Sequence, residues 1–178
     1  NRAKGLFEQA IALDAAYADP HAELALGYFI CGMHGMRPMR EVAPFVRAEV
    51  DQALALNPSD PRPRFLLGAI ALAHDYDWKA AEAHFAASMN VPDVSGHARW
   101  IYASLYLRGL GGFEESAEEM GRAVQQDALN ATWHAIRGAH VYDAKRHDEA
   151  IDEALRATEL EPNYFVAQHI LGETYWAS

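Results

Sequence analysis

Basic residues are scarce in this chain. Lys and Arg number 15 against 25 Asp and Glu, giving a net charge of −10 and a pI near 5.3. Such a surface repels phosphate backbones and anionic lipid headgroups, so neither nucleic acid nor a membrane surface is an expected partner. Cysteine occurs once, at Cys31, which excludes an internal disulfide and fits a reducing, cytoplasmic setting. No apolar run approaches the ~18 residues that span a bilayer. The first segment, NRAKGLFEQAIALD, is amphipathic and lacks the apolar core of a signal peptide. Strand signals are nearly absent: Val, Ile and Thr are sparse, Asn-Gly and Asp-Gly do not occur, and two-residue alternation is not sustained.

What is present points to an all-α chain. Hydrophobic residues make up 51% and charged residues 22%, the balance of a folding sequence rather than a disordered one. Alanine recurs at helical spacing, as in KAAEAHFAAS (79–88). Turn-rich clusters, NPSDPRP (57–63), VPDVSG (91–96), DALNAT (127–132) and EPNY (161–164), start 34 to 36 residues apart. Each lies between two amphipathic helical segments. Residues 13–28, LDAAYADPHAELALGY, and residues 160–175, LEPNYFVAQHILGETY, share a Leu, an acid, two Tyr and a second Leu at matching places 147 positions apart. Self-similarity at such a period means a repeat array, in which each helix pair buries its apolar face only by stacking on the next.

The repeated set is a Leu, a small residue and an aromatic in a first helix A, then Ala, a bulky residue and Ala in helix B. Leu24, Ala25 and Tyr28 open one copy, closed by Val50, Ala53 and Pro58 after about nine extra residues. Leu67 and Gly68 open the second, with Ala81, Phe85 and Asp93; Tyr102, Ala103 and Tyr106 open the third, with Phe113, Met120, Ala123 and Ala128. Gly138, Ala150, Ala157 and Pro162 mark the fourth, with Arg137 in the place usually held by Leu; Leu171, Gly172 and Tyr175 open a fifth. Ala3, Phe7 and Ala10 fit a helix B at the front. This set resembles the tetratricopeptide repeat (TPR). The resemblance implies a right-handed superhelical α-α solenoid of about ten helices, a single array over 1–178. Its expected divisions are a partial repeat 1–16, repeats at about 17–59, 60–94, 95–129 and 130–163, and a partial repeat 164–178. An array that starts and stops inside repeats is expected to be part of a longer protein, or to pair its end helices with another copy.

The stretch HDYDWKAAEAHFAASMNVP (74–92) and the insertion 31–45 further resemble repeats of bacterial multidomain regulators. In those, such arrays follow winged-helix, adenylate/guanylate cyclase or serine/threonine kinase modules. A signalling or transcription-regulation context is the corresponding expectation.

No catalytic or cofactor constellation is expected. CGMH (31–34) has half the spacing of a zinc site with no second half, and reads as a flexible insertion loop. His134 and His140 stand six apart on a helix and so face different ways. HDEA (147–150) starts a helix and is not a zinc-protease motif. GLGGF (109–113) lacks the Lys-Ser/Thr and preceding strand of a phosphate loop, and reads as a turn between helices. Glu114, Glu115, Glu118 and Glu119 read as solvated helix surface favoured near an N-terminus.

The expected function is therefore a non-enzymatic interaction module. In the family the A helices line a concave groove through the second, fifth, ninth, twelfth and thirteenth positions of each repeat. Carried over, these positions select Arg62 and Phe65; His97, Trp100, Ser104 and Arg108; Tyr142 and Asp143; and His169, Glu173 and Trp176. Leu26 and Phe29 hold the equivalent places in the first repeat. Aromatics and Arg dominate binding hot spots, and Arg62 and Arg108 suit a carboxylate on a peptide. Phe65 and Trp100 equally suit groove filling. The dense Lys/Asn/Arg clamp of chaperone-tail receptors is missing. A peptide, a helix or a neighbouring domain is the expected occupant. Self-association through the end helices, or a small-ligand site at His97, Tyr142 and Asp143, are the alternatives.

Overall fold

The computed structural model describes residues 2–177; Asn1 and Ser178, the outermost residues of the two expected partial repeats, lie outside the described residues. The described residues form ten helices and no strand. They divide into two compact units, Asn1–Val94 and Ser95–Ser178.

In the first unit α1 (Arg2–Leu13) packs on α2 (Asp19–Met33), α2 pairs with α3 (Met39–Leu56), and α4 (Arg64–Ile70) pairs with α5 (Trp78–Met89). In the second, α6 (Gly96–Ile101) meets α7 (Phe113–Gln126), α8 (Ala131–Asp143) pairs with α9 (His147–Leu160), and α10 (Phe165–Ala177) packs on α9 and α8. Caps follow from sequence: Asp77 accepts from the Ala80 N–H at 2.9 Å, Ser95 from Ala98 at 3.2 Å, and Asn130 from Thr132 and Trp133. Glu114, Glu115, Asp148 and Glu149 place negative charge at the positive ends of α7 and α9.

The turns between pairs explain the echo of residues 13–28 in 160–175. The N–H of Asp14, Asn57, Asp127 and Glu161 reaches back to the carbonyl of Ala10, Ala53, Ala123 and Ala157 respectively. Three residues on, the N–H of Tyr17, Asp60, Asn130 and Tyr164 closes on the carbonyl of that same turn residue. Two main-chain bonds thus recur at four places with different side chains. The turns inside the pairs share a different device, one residue in the left-handed region: Gly35 at φ 66°, Tyr76 at 59°, Gly111 at 80° and Lys145 at 65°. Glycine enters that region without steric penalty; Tyr76 and Lys145 do so under strain.

The core is made where helix A meets helix B. Ala25 and Ala103 are fully buried, and a Cβ on Gly68 would stand 3.1 Å from the ring of Phe85, itself 1% exposed. Each such ring contributes about 1.5–3 kcal/mol by burial. Leu26 and Phe29 are also core residues, at 9% and 0% exposure, so the first repeat does not offer them to a partner.

Two expectations are corrected here. The segment 31–45 is not a loop: Cys31–Met33 finish α2, only 34–38 form a turn, and the rest lengthens α3 to 18 residues around Val42, Ala43 and Val46. The extra residues are absorbed because they continue the apolar stripe. Glu119 is not solvated surface; it is 8% exposed and held between Arg99, at 2.7 Å, and Arg122.

Two π-helical segments were not expected. α4 widens at Ala71–Asp75, and α6 at Tyr102–Leu107 before a 3-10 turn at Arg108–Leu110. The second lies in the interval of 36 residues, rather than 34, between the turns at 91 and 127; the first lies in an interval of 34 and leaves no trace in the spacing. A π-turn accommodates surplus residues without breaking the helix.

Candidate functional site

The sequence-selected residues fall in both units, and each unit treats them differently. In the first unit Phe65 is 6% exposed and belongs to the core, so it offers no ring to a partner. Arg62 donates through Nε to both oxygens of Asp60, at 2.8 and 2.9 Å, and lies 3.7 Å from Asp19. The guanidinium holds the Asp60 carboxyl below the usual carboxylate range. Its charge is matched within the turn by Asp60, although the side chain stays more than half exposed.

In the second unit the residues separate into three clusters. His97 stands edge-on to Trp133 at 5.1 Å, and Trp100 lies 6.4 Å from the same ring. Trp133 is 6% exposed among Ala103, Met120 and Ala123, so this aromatic group is mainly packing.

The second cluster is polar and gathers around His140, which the sequence marked only as facing away from His134. His140, 2% exposed, projects from α8 between two helices. Its Nδ1 lies 2.5 Å from the Ser116 Oγ on α7, and its Nε2 lies 3.1 Å from Ser104 in the π segment of α6. Ser116 Oγ also reaches the Ala103 carbonyl at 3.2 Å. One proton arrangement uses every contact: Nδ1–H donates to Ser116, Ser116 donates to Ala103, and Ser104 donates to Nε2. Burial, reinforced by the nearby Arg108 charge, pushes the imidazole down to about 3, so it is neutral at ordinary pH. Arg108 is itself ion-paired with Asp143. Ser104, Arg108 and Asp143 are therefore tied to one another's helices. The alternative ligand site at His97, Tyr142 and Asp143 is not formed, because each belongs to a different cluster.

The third cluster is open. Tyr142 on α8 and Gln168, His169, Gly172, Glu173 and Trp176 on α10 line a cleft of about 500 Å³. Ala167, Ile170 and Thr174 bury the opposite face of α10, which turns the cleft-lining side outward. Trp176 is 93% exposed. A Cβ on Gly172 would meet nothing within 4 Å, unlike Gly68 and Gly138 in the equivalent places of earlier repeats. Tyr142 is half-buried and braced edge-to-face by His147 at 5.1 Å. Gln168 donates to the Pro162 carbonyl at 2.9 Å, and His169 lies 3.4 Å from Glu173 one turn along. Groove positions thus bring Tyr142, His169, Glu173 and Trp176 together; Gln168 and Gly172 join them from positions the pattern assigns elsewhere. Among the described residues no group of three His, Cys, Asp or Glu is placed to hold a metal, and no helix is long and apolar enough to cross a membrane.

With this geometry the fold can be compared with known proteins. No family model matches the sequence, and no curated protein matches it. Solved structures do match. YrrB, described as a TPR protein with an unusual peptide-binding site, superposes with a TM-score of 0.59 at 19% identity, covering 96% of this chain and 82% of its own. Human IFIT1 in complex with m7Gppp-AAAA superposes at 0.76 with 20% identity, over 99% of this chain and 42% of IFIT1. Yeast Tom70 superposes at 0.65 with 15% identity, over 98% of this chain and 35% of its own. The fold is that of the TPR solenoid. The chain spans less than half the length of IFIT1 or Tom70.

Proposed function

We propose that this chain is a protein-interaction module whose contact site is the α8–α10 cleft. The observation that carries the reading is Trp176, 93% exposed, in one cleft with Tyr142, His169 and Glu173. A large ring fully in water at the rim of a concave, partly apolar site is the usual anchor of a binding hot spot. The cleft lies on A helices, the face the repeat pattern assigns to partners. YrrB is a TPR protein with a peptide-binding site, which supports a peptide occupant. IFIT1 was captured with a capped oligonucleotide, but the net charge of −10 here disfavours phosphate. The resemblance of residues 74–92 to repeats of bacterial regulators supports a place beside a winged-helix, cyclase or kinase domain, which the neighbouring coding sequence would test.

A displayed peptide library panned on the protein tests the site. Selected peptides should lose affinity several-fold on Trp176→Ser, while circular dichroism stays unchanged. Selected peptides indifferent to Trp176 would refute the assignment.

A further inference from the structure

The chemistry of the cleft says which peptides it takes. Resting on the site assignment above, we propose that the α8–α10 cleft receives the cationic side chain of a Lys- or Arg-bearing peptide. Three observations carry this. Tyr142 and Trp176 bring two electron-rich rings to one cleft, and Glu173 adds a carboxylate. Aromatic faces combined with an acid attract a desolvated ammonium or guanidinium. No Lys or Arg lines the cleft, and its one imidazole, His169, already lies against Glu173. Six of the unit's seven Lys and Arg, Arg99, Arg108, Arg122, Arg137, Arg146 and Arg156, are each held by a carboxylate of the same unit, and the seventh, Lys145, does not line the cleft. The field around the cleft is thus negative, which steers a basic segment inward and an acidic one away.

Glu173 is half-exposed and already contacts His169 at 3.4 Å. An incoming ammonium exchanges that exposed contact for a closer pair between the carboxylate and two rings.

The test is fluorescence anisotropy with two labelled 12-residue peptides. One carries four Arg in a Gly/Ser background; the other carries Glu at the same places. The basic peptide should bind at least ten-fold more tightly. Trp176→Leu keeps an apolar side chain but removes the π face, and should weaken the basic peptide by about two- to five-fold. Glu173→Gln should weaken it by a similar factor. Glu159→Gln, which removes an exposed acid on α9, should leave it unchanged; an equal loss there would show diffuse attraction and overturn the cleft as the cation site. If Trp176→Leu and Glu173→Gln leave the basic peptide unaffected, the cationic occupant is refuted. An uncharged aromatic-rich peptide then separates the two readings. Its loss on Trp176→Ser would keep the binding site and reject its charge preference; its indifference would reject both.

Discussion

His140 makes the second unit acid-sensitive in a calculable way. Burial holds its imidazolium at a pKa of about 3, against 6.5 in the unfolded chain. Folding therefore excludes a proton that the unfolded state accepts below pH 6.5. Stability from this group is complete above 6.5 and is lost as the pH falls toward 3. Each pH unit inside that window removes ~1.4 kcal/mol, so moving from pH 7 to pH 5 removes about 2 kcal/mol. Urea unfolding followed by Trp fluorescence in a Trp78→Phe background reads the right part of the molecule, because the other three tryptophans, Trp100, Trp133 and Trp176, lie in Ser95–Ser178. His84 shares the sign, its imidazole held down mainly by burial, but it sits in the other unit. Comparison with His140→Gln isolates the group: the variant should be less stable at pH 7, yet lose about 2 kcal/mol less than the wild type between pH 7 and pH 5. Equal losses would refute the reasoning. Nitrogen-15 NMR gives an independent check: the His140 ring should stay neutral, protonated at Nδ1, down to about pH 4. Titration near 6.5, or an Nε2–H tautomer, would break the proposed chain from Ser104 to Ala103.

Other consequences follow from the same contacts. Ser116→Ala strands the Nδ1–H of His140 in a buried site and should cost about 2–3 kcal/mol, whereas half-buried Ser104→Ala, which water can replace, should cost under ~1 kcal/mol by denaturant titration. Gly172→Ala should stabilise α10 by about 1 kcal/mol, because its Cβ meets nothing; Gly68→Ala should destabilise by about 1–3 kcal/mol through the Phe85 ring, and thermal melts would show shifts of opposite sign. Lys145→Gly relieves a left-handed residue and should raise the melting temperature slightly, by up to ~1 kcal/mol of stability; a fall would show that the side chain holds the turn.

The fold was legible because its signal is periodic. Ala53, Ala123 and Ala157 recur at one place in helix B, and each is both buried and the acceptor of the turn bond. What breaks the period was less legible. The insertion at 31–45 lacks a repeat to align with, so its helical continuation was hidden. The π segment at Tyr102–Leu107 lies in the longer interval of 36 residues, and the one at Ala71–Asp75 leaves no mark in the spacing. At the site, spacing brought Tyr142, His169, Glu173 and Trp176 together, since position in helix A sets their direction. It could not show that Arg108 is matched by Asp143, 35 residues on, or that His140 is buried between Ser104 and Ser116. Such pairings are decided between helices. The Arg62–Asp60 pair was closer to view, two residues apart, but an acid next to a turn looks the same whether or not it holds a cation.

Four of the turns between pairs are fixed by main-chain atoms: the carbonyls of Ala10, Ala53, Ala123 and Ala157 and the amides that reach them. Every residue but proline supplies such an amide. Asp, Asn and Glu therefore exchange at the first of these places, and Tyr, Asp and Asn at the second, without altering the path of the chain. Substitutions can accumulate there without leaving a shared spelling. A chain built this way keeps its geometry while drifting to 15–20% identity with structures it superposes on, beyond the reach of any family model. It also means that a whole helix pair, cut at these turns, should be movable within the array as a cassette.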